Sequence, residues 1–266
     1  MRAALFLPPF GELADPRALA AIARDAEESG WDGCFLWDHV LRPGPPTPVA
    51  DPWIALAAMA VATERIRLGP LVTPVVRRRP HKLAREIITL DHLSGGRLTV
   101  GLGLGVDTGR ELSAFGEVVD ARTRGEMLDE GLDLLTDLLS GGEVRHRGRY
   151  FVADGVTLLP RPVQRPRPPM WMAARTTNPA PLRRAARADG LVPIEVNPDQ
   201  VTSMLEVVSE LRGGLGGFDV AVIADDDARR WCEVGATWWL VSRQPGVGLD
   251  EVRRLAAGAP PELPAV

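Results

Sequence analysis

Lysine occurs once in this chain, at position 82, and cysteine twice, at 34 and 232. Each scarcity excludes a chemistry. Lys82 falls on a predicted helix, so no lysine stands at a strand end to form the Schiff base that a cofactor-free barrel lyase needs. Cys34 lies in an apolar run and Cys232 on a predicted helix, far apart in sequence. They offer neither a metal-ligand spacing nor a disulfide framework, and reduced thiols in a cytoplasmic protein are the expectation. The four histidines, His39, His81, His92 and His146, make no His-x-x-x-His or other metal spacing. No Gly-x-Ser-x-Gly elbow is present, which removes Ser–His–acid hydrolysis. Long apolar runs are missing too. Ala3–Leu7 stops at Pro8-Pro9, too short for a signal core or a membrane span. A formal net charge of −4 invites neither nucleic acid nor an anionic membrane.

What the chain does have is alternation. Short apolar runs at Ala3–Leu7, Gly33–Trp37, Ile66–Val72, Leu98–Leu102, Met170–Ala174, Gly190–Glu195, Phe218–Ala224 and Thr237–Ser242 are separated by helical stretches. Most runs are apolar throughout, as strands buried on both faces must be. Asp15-Pro16, Asp51-Pro52, Asn178-Pro179 and Asn197-Pro198 each place a capping side chain before a proline that has no N–H to lose. Behind them Leu19, Ile22, Ala23 and Ala26, then Leu128, Leu132, Leu135 and Leu139, then Val201, Leu205 and Val208 recur at helical spacing. Eight strands in 266 residues predict a closed (β/α)8 TIM barrel, a fold of about 250 residues, as one domain over 1–266. Residues 143–169 read as an irregular excursion before the fifth strand. It carries a strand-like pair around Tyr150–Leu159 and a proline-rich run that leads into the barrel rather than serving as a recognition ligand.

In such a barrel the chemistry gathers at the C-terminal ends of the strands. His39, beside Asp38, follows the second strand. Either it exchanges a proton with a bound ring or a backbone carbonyl satisfies it. Gly101-Leu102-Gly103-Leu104-Gly105 follows the fourth; it lacks the third glycine of a dinucleotide fingerprint. It either lets the backbone approach a flat ligand or makes a tight turn. Arg175-Thr176-Thr177 precedes a helix start. Those residues either bind a phosphate or form an ordinary cap with an exposed arginine.

Several segments taken in order resemble one family. They are Trp37–Val40, Thr63–Pro74, Leu90–Leu98, Gly101–Gly105, Leu158–Gln164 and Ala188–Gly190. Together they are similar to the luciferase-like monooxygenases, in particular the branch that uses coenzyme F420. The resemblance implies a bacterial-luciferase-like barrel, a homodimer, and F420 or alternatively FMN bound at the mouth. It implies that His39, with Asp38, lies near the tricyclic ring and carries the catalysis. A non-proline cis peptide at Leu71-Val72, with Thr73 alongside, would back the ring. Gly103 and Gly105 would pass beside it, and Arg175, Thr176 and Thr177 would sit near the phosphate. The activity implied is hydride transfer to or from a small organic substrate. The alternatives are an FMN monooxygenase using oxygen and a non-catalytic flavin-binding relative. Three departures are visible. Arg175-Thr176 stands where many relatives have glycines. Val106-Asp107 stands where some F420 enzymes place an acid, leaving Asp107 or Glu111 as substitutes. The connection Ala224–Ala228 is too short for a lid.

Overall fold

Eight apolar runs become eight parallel barrel strands, and one of them is broken in two. The computed structural model describes residues 1–224 and 227–264. The chain runs β1 (Arg2–Leu7), α1 (Pro16–Glu28), β2 (Gly33–Leu36), α2 (Pro52–Ala62), β3 (Arg67–Pro70), β4 (Thr73–Pro74), α3 (Pro80–Leu93), β5 (Val100–Gly103) and α4 (Ala121–Leu139). The hairpin β6 (Val144–Arg147) and β7 (Val152–Val156) follows, then β8 (Met170–Ala174), α5 (Pro179–Ala186), β9 (Gly190–Pro193) and α6 (Pro198–Arg212). The last elements are β10 (Asp219–Ile223), α7 (Ala228–Glu233), β11 (Trp238–Ser242) and α8 (Leu249–Ala256).

The strand order is β3-β2-β1-β11-β10-β9-β8-β5-β4, every pair parallel. Since β3 and β4 are consecutive halves of the expected third strand, one edge pairs with β2 and the other with β5, and the sheet closes on itself. A parallel bridge from Leu68 to Leu98 completes the seam. Gly69 permits it: a Cβ there would stand 1.7 Å from the Thr99 carbonyl oxygen. The expected continuous strand Ile66–Val72 is therefore corrected to two short ones around Leu71-Val72, whose peptide is cis.

Burial separates into two layers. Between strands and helices lies the larger core, which takes the predicted stripes of α1, α4 and α6. Inside the barrel sits a smaller core of Phe6, Phe35, Leu71, Trp171, Trp238, Leu240 and small neighbours. Its floor is aromatic. Phe35, Trp171 and Trp238 meet with ring centroids 5.5–5.8 Å apart. Gly190 makes room for Trp171, since a Cβ there would come within 2.4 Å of the indole. Beneath the floor, the Arg2 guanidinium lies 4.2 Å from the Trp238 ring and is held by Asp219 at 2.8 Å. Trp239 points the other way, into the outer core.

Asp15, Asp51 and Asn197 cap their helices as expected. Asn178 does not; its own N–H donates to Thr176 Oγ1 at 3.3 Å. The hairpin starts earlier than the expected pair at Tyr150–Leu159. Glu130 of α4 pins its turn by accepting from the amides of Arg149, Tyr150 and Phe151. The proline-rich run is packed rather than presented. Gln164 donates to the buried Asp91 from its amide N–H and its side chain. No described helix is long and apolar enough to cross a membrane. The expected lid-free connection Ala224–Ala228 includes Asp225 and Asp226, which lie outside the described residues.

Candidate active site at the barrel mouth

Above the aromatic floor, four half-buried side chains rest on the inner core: Trp37, Val72, Ile194 and Ile223. They come from the C-terminal ends of four strands. Trp37 is packed among rings, with Phe6 at 5.5 Å and Phe10 at 6.1 Å. Its indole Nε1 is buried and has no hydrogen-bond partner among the described residues. A buried N–H left unpaired costs free energy that a ligand acceptor recovers.

Beside this apolar rim lies an ionic lattice. His39 Nδ1 is 2.8 Å from Glu111 Oε2. Glu111 also accepts from the amides of Val40 and Leu41 and, at 3.2 Å, from Arg77. Arg77 in turn donates to Asp38 Oδ1 at 2.5 Å and to the Asp38 carbonyl at 3.2 Å. Asp38 further accepts from Arg78, from Thr73 Oγ1 at 2.7 Å and from the Trp53 indole at 3.2 Å. Burial works against the Glu111 carboxylate. The hydrogen bond and charge of His39, with the Leu41 and Val40 amides, outweigh it and hold Glu111 below the ordinary range.

These contacts sort the predicted residues. His39 keeps its ring 31% exposed, with Phe10 and Trp37 packed against it at 5.8 and 6.0 Å. Asp38 is a buried anchor: it is 2% exposed and its oxygens are taken by two arginines, a threonine and an indole. Thr73 is likewise turned away from the mouth onto Asp38. Leu71 faces the inner core, and Val72 reaches the rim. The glycines serve the barrel wall. A Cβ on Gly103 would lie 2.8 Å from Val72 Cγ1, and one on Gly105 would lie 2.8 Å from Pro74 Cβ. Their bare backbones let β5 approach the broken third strand.

On the far side, Arg175, Thr176 and Thr177 are exposed. The Arg175 guanidinium is already paired with Glu195, which sits in the left-handed region at φ 56°. Thr176 accepts from Asn178. Pro179 and Pro181 open α5 without N–H groups, so this helix start offers few free donors for an anion. Asp107 is not a spare acid. The amides of Leu112 and Ser113 bond to it and hold its carboxyl below the usual range. Arg77 and Arg78 escaped sequence reasoning. Their one local signal is a run of three arginines, 77–79, directly after a strand end.

A hollow of about 1570 Å³ lies elsewhere. It is an open groove outside the barrel wall, between Trp239, α7, α8 and residues 259–264. Of the barrel strand ends only those of β10 and β11 reach it, at Ala224 and Val241–Ser242, whereas four strand ends meet at the mouth, which remains the candidate site. Among the described residues, no cluster of His, Cys, Asp and Glu is placed to hold a metal ion.

A closed (β/α)8 barrel with a half-buried apolar rim and an anchored histidine defines a class of mouth-binding barrel proteins. The family described as luciferase-like monooxygenase matches residues 1–242, and the chain belongs to it. An uncharacterized protein of Mycobacterium tuberculosis (strain ATCC 25618 / H37Rv) is 33% identical, aligned over 90% of this chain and 92% of its own. An F420-dependent glucose-6-phosphate dehydrogenase of Nakamurella multipartita is 33% identical over 66% of this chain, which spans 52% of that enzyme. Among solved structures, an F420-dependent secondary alcohol dehydrogenase, in complex with an F420-acetone adduct, superposes with a TM-score of 0.79. That match has 18% identity and covers 96% of this chain and 98% of the other.

Proposed function

We propose that the barrel mouth binds a flavin-type ring, coenzyme F420 in preference to FMN, for hydride transfer to or from a small organic substrate. The observation that carries this reading is the pairing of an apolar rim, which includes Trp37 with its buried Nε1 unpartnered among the described residues, with His39 anchored through Nδ1. Relatives named as F420-dependent support the deazaflavin. A bound cofactor of this type supplies the ring that gives or takes a hydride. The chain does the rest. Trp37, Val72, Ile194 and Ile223 would hold the ring and exclude water, and Trp37 Nε1 would donate to it. His39 Nε2 would hold or deliver a proton at the substrate oxygen. Asp38, Arg77 and Glu111 position His39.

Two observations keep rivals in view. The family's description as monooxygenases supports reduced FMN reacting with oxygen. The occupied Arg175 and the proline-blocked start of α5 support a relative that binds flavin weakly and does no catalysis. Parallel fluorescence titrations of the purified protein with F420 and with FMN decide between them. Saturable binding of F420 alone is expected. Binding of FMN alone moves the reading to oxygen chemistry, and binding of neither leaves the non-catalytic one.

We also propose a homodimer. The helix α2 carries no charged residue, and its outer face exposes Ile54 at 66% and Val61 at 72%. A helix apolar on every side is a buried helix. Light scattering should give twice the chain mass, and V61E should lower it; a monomeric parent protein would overturn the proposal.

A further inference from the structure

The two oxygens of Glu111 have separate duties. Oε1 accepts from Val40 N at 2.5 Å, Leu41 N at 3.1 Å and Arg77 at 3.2 Å. Oε2 meets His39 Nδ1 at 2.8 Å. A carboxylate surrounded by donors carries no proton to give, so the hydrogen of this bond sits on Nδ1. The nitrogen left for a ligand is then Nε2, bare when the ring is neutral.

Arg77 ties this arrangement together. It is 8% exposed, and its two terminal nitrogens divide between Glu111 and Asp38. One arm reaches the connection after β5. The other reaches both the carbonyl and the carboxylate of the residue preceding His39. The planar fork spans a junction that no single amide could span. Asp38 is in turn fixed by Arg78, Thr73 and Trp53, so the fork stands on a rigid base.

We propose that Arg77 is a positioning residue that sets the tautomer of His39 by clamping Glu111 against Asp38. The groups facing the imidazole are Glu111 from the β5–α4 connection, with Arg77 and Asp38 behind it; Phe10 and Trp37 contribute uncharged rings. The guanidinium, with two amides, occupies Glu111 Oε1 and so leaves Oε2 to face Nδ1. This is a different duty from holding the fold together. Its functional meaning rests on the mouth being the ligand site proposed above. The measurement does not, because it needs no cofactor.

The test is a ring-nitrogen NMR titration of the whole protein, with the His39 signals identified by their absence in H39Q. The parent protein should show one tautomer, Nδ1–H, above its midpoint. R77M removes the clamp, and the second tautomer, Nε2–H, should appear beside the first. R77K keeps the charge and loses the fork; the second tautomer should appear there too. An R77M protein that keeps the single parental tautomer overturns the proposal. If R77M does not fold, R77K retaining the single parental tautomer overturns it. A chain that binds neither F420 nor FMN yet shows these changes defeats the functional reading and leaves this one standing.

Discussion

His39→Ala should reduce turnover by about 10²- to 10⁴-fold, the range a positioned acid–base group supplies. In free energy that is about 3–5 kcal/mol at the transition state. The stability cost should be smaller. Glu111 Oε2 loses one partner, while Oε1 keeps two amides and Arg77. Leaving one acceptor unsatisfied costs about 1–3 kcal/mol, and the half-open ring lets water refill the gap. The comparison is between kcat/KM and the urea midpoint of the same variant. A drop in both by equal free energy would make His39 a structural residue. Unchanged kcat/KM would remove it from the chemistry altogether.

Trp171→Ala should destabilise the barrel by about 3–5 kcal/mol, as large buried aromatics do when truncated. Trp171 is fully buried and meets Phe35 and Trp238 with centroids 5.5 Å away. Its neighbours cannot slump into the hole. They are closed in by the wall on which they stand, and Gly190 has no side chain to offer. Trp171→Phe is the informative companion. The indole Nε1 of Trp171 has no hydrogen-bond partner among the described residues, so phenylalanine forfeits volume and no bond seen there. Its cost should be about 1–2 kcal/mol. Urea unfolding reads both variants. A Trp171→Ala midpoint equal to the parent's would mean that the floor is not tightly packed.

Much of this molecule is written locally and was legible for that reason. Each apolar run became a strand, because strands buried on both faces need no alternation. Asp15, Asp51 and Asn197 capped because the capping bond spans only two or three residues. The break at Leu71-Val72 followed from the family resemblance, with Pro70 and Pro74 on either side. The ionic lattice was a different matter. Thr73 finds Asp38 across 35 positions, and His39 finds Glu111 across 72. No spacing rule reaches that far, so Arg77 and the partners that anchor Asp38 stayed hidden. The glycines left their alternatives open for a related reason. A missing Cβ shows that something approaches, but not whether it is a ligand or, as at Gly103 and Gly105, a neighbouring strand. The segments Leu90–Leu98 and Leu158–Gln164, read as family marks, grip each other through Asp91 and Gln164, away from the mouth.

The sealed base of the barrel has a kinetic consequence. Phe35, Trp171 and Trp238 fill the floor, and Arg2 covers it from below. Nothing can drain through, so every molecule that enters must return past the rim. Two guests sharing such a well cannot come and go independently. Whichever settles deeper arrives first and departs last, a compulsory order imposed by architecture before any affinity is considered.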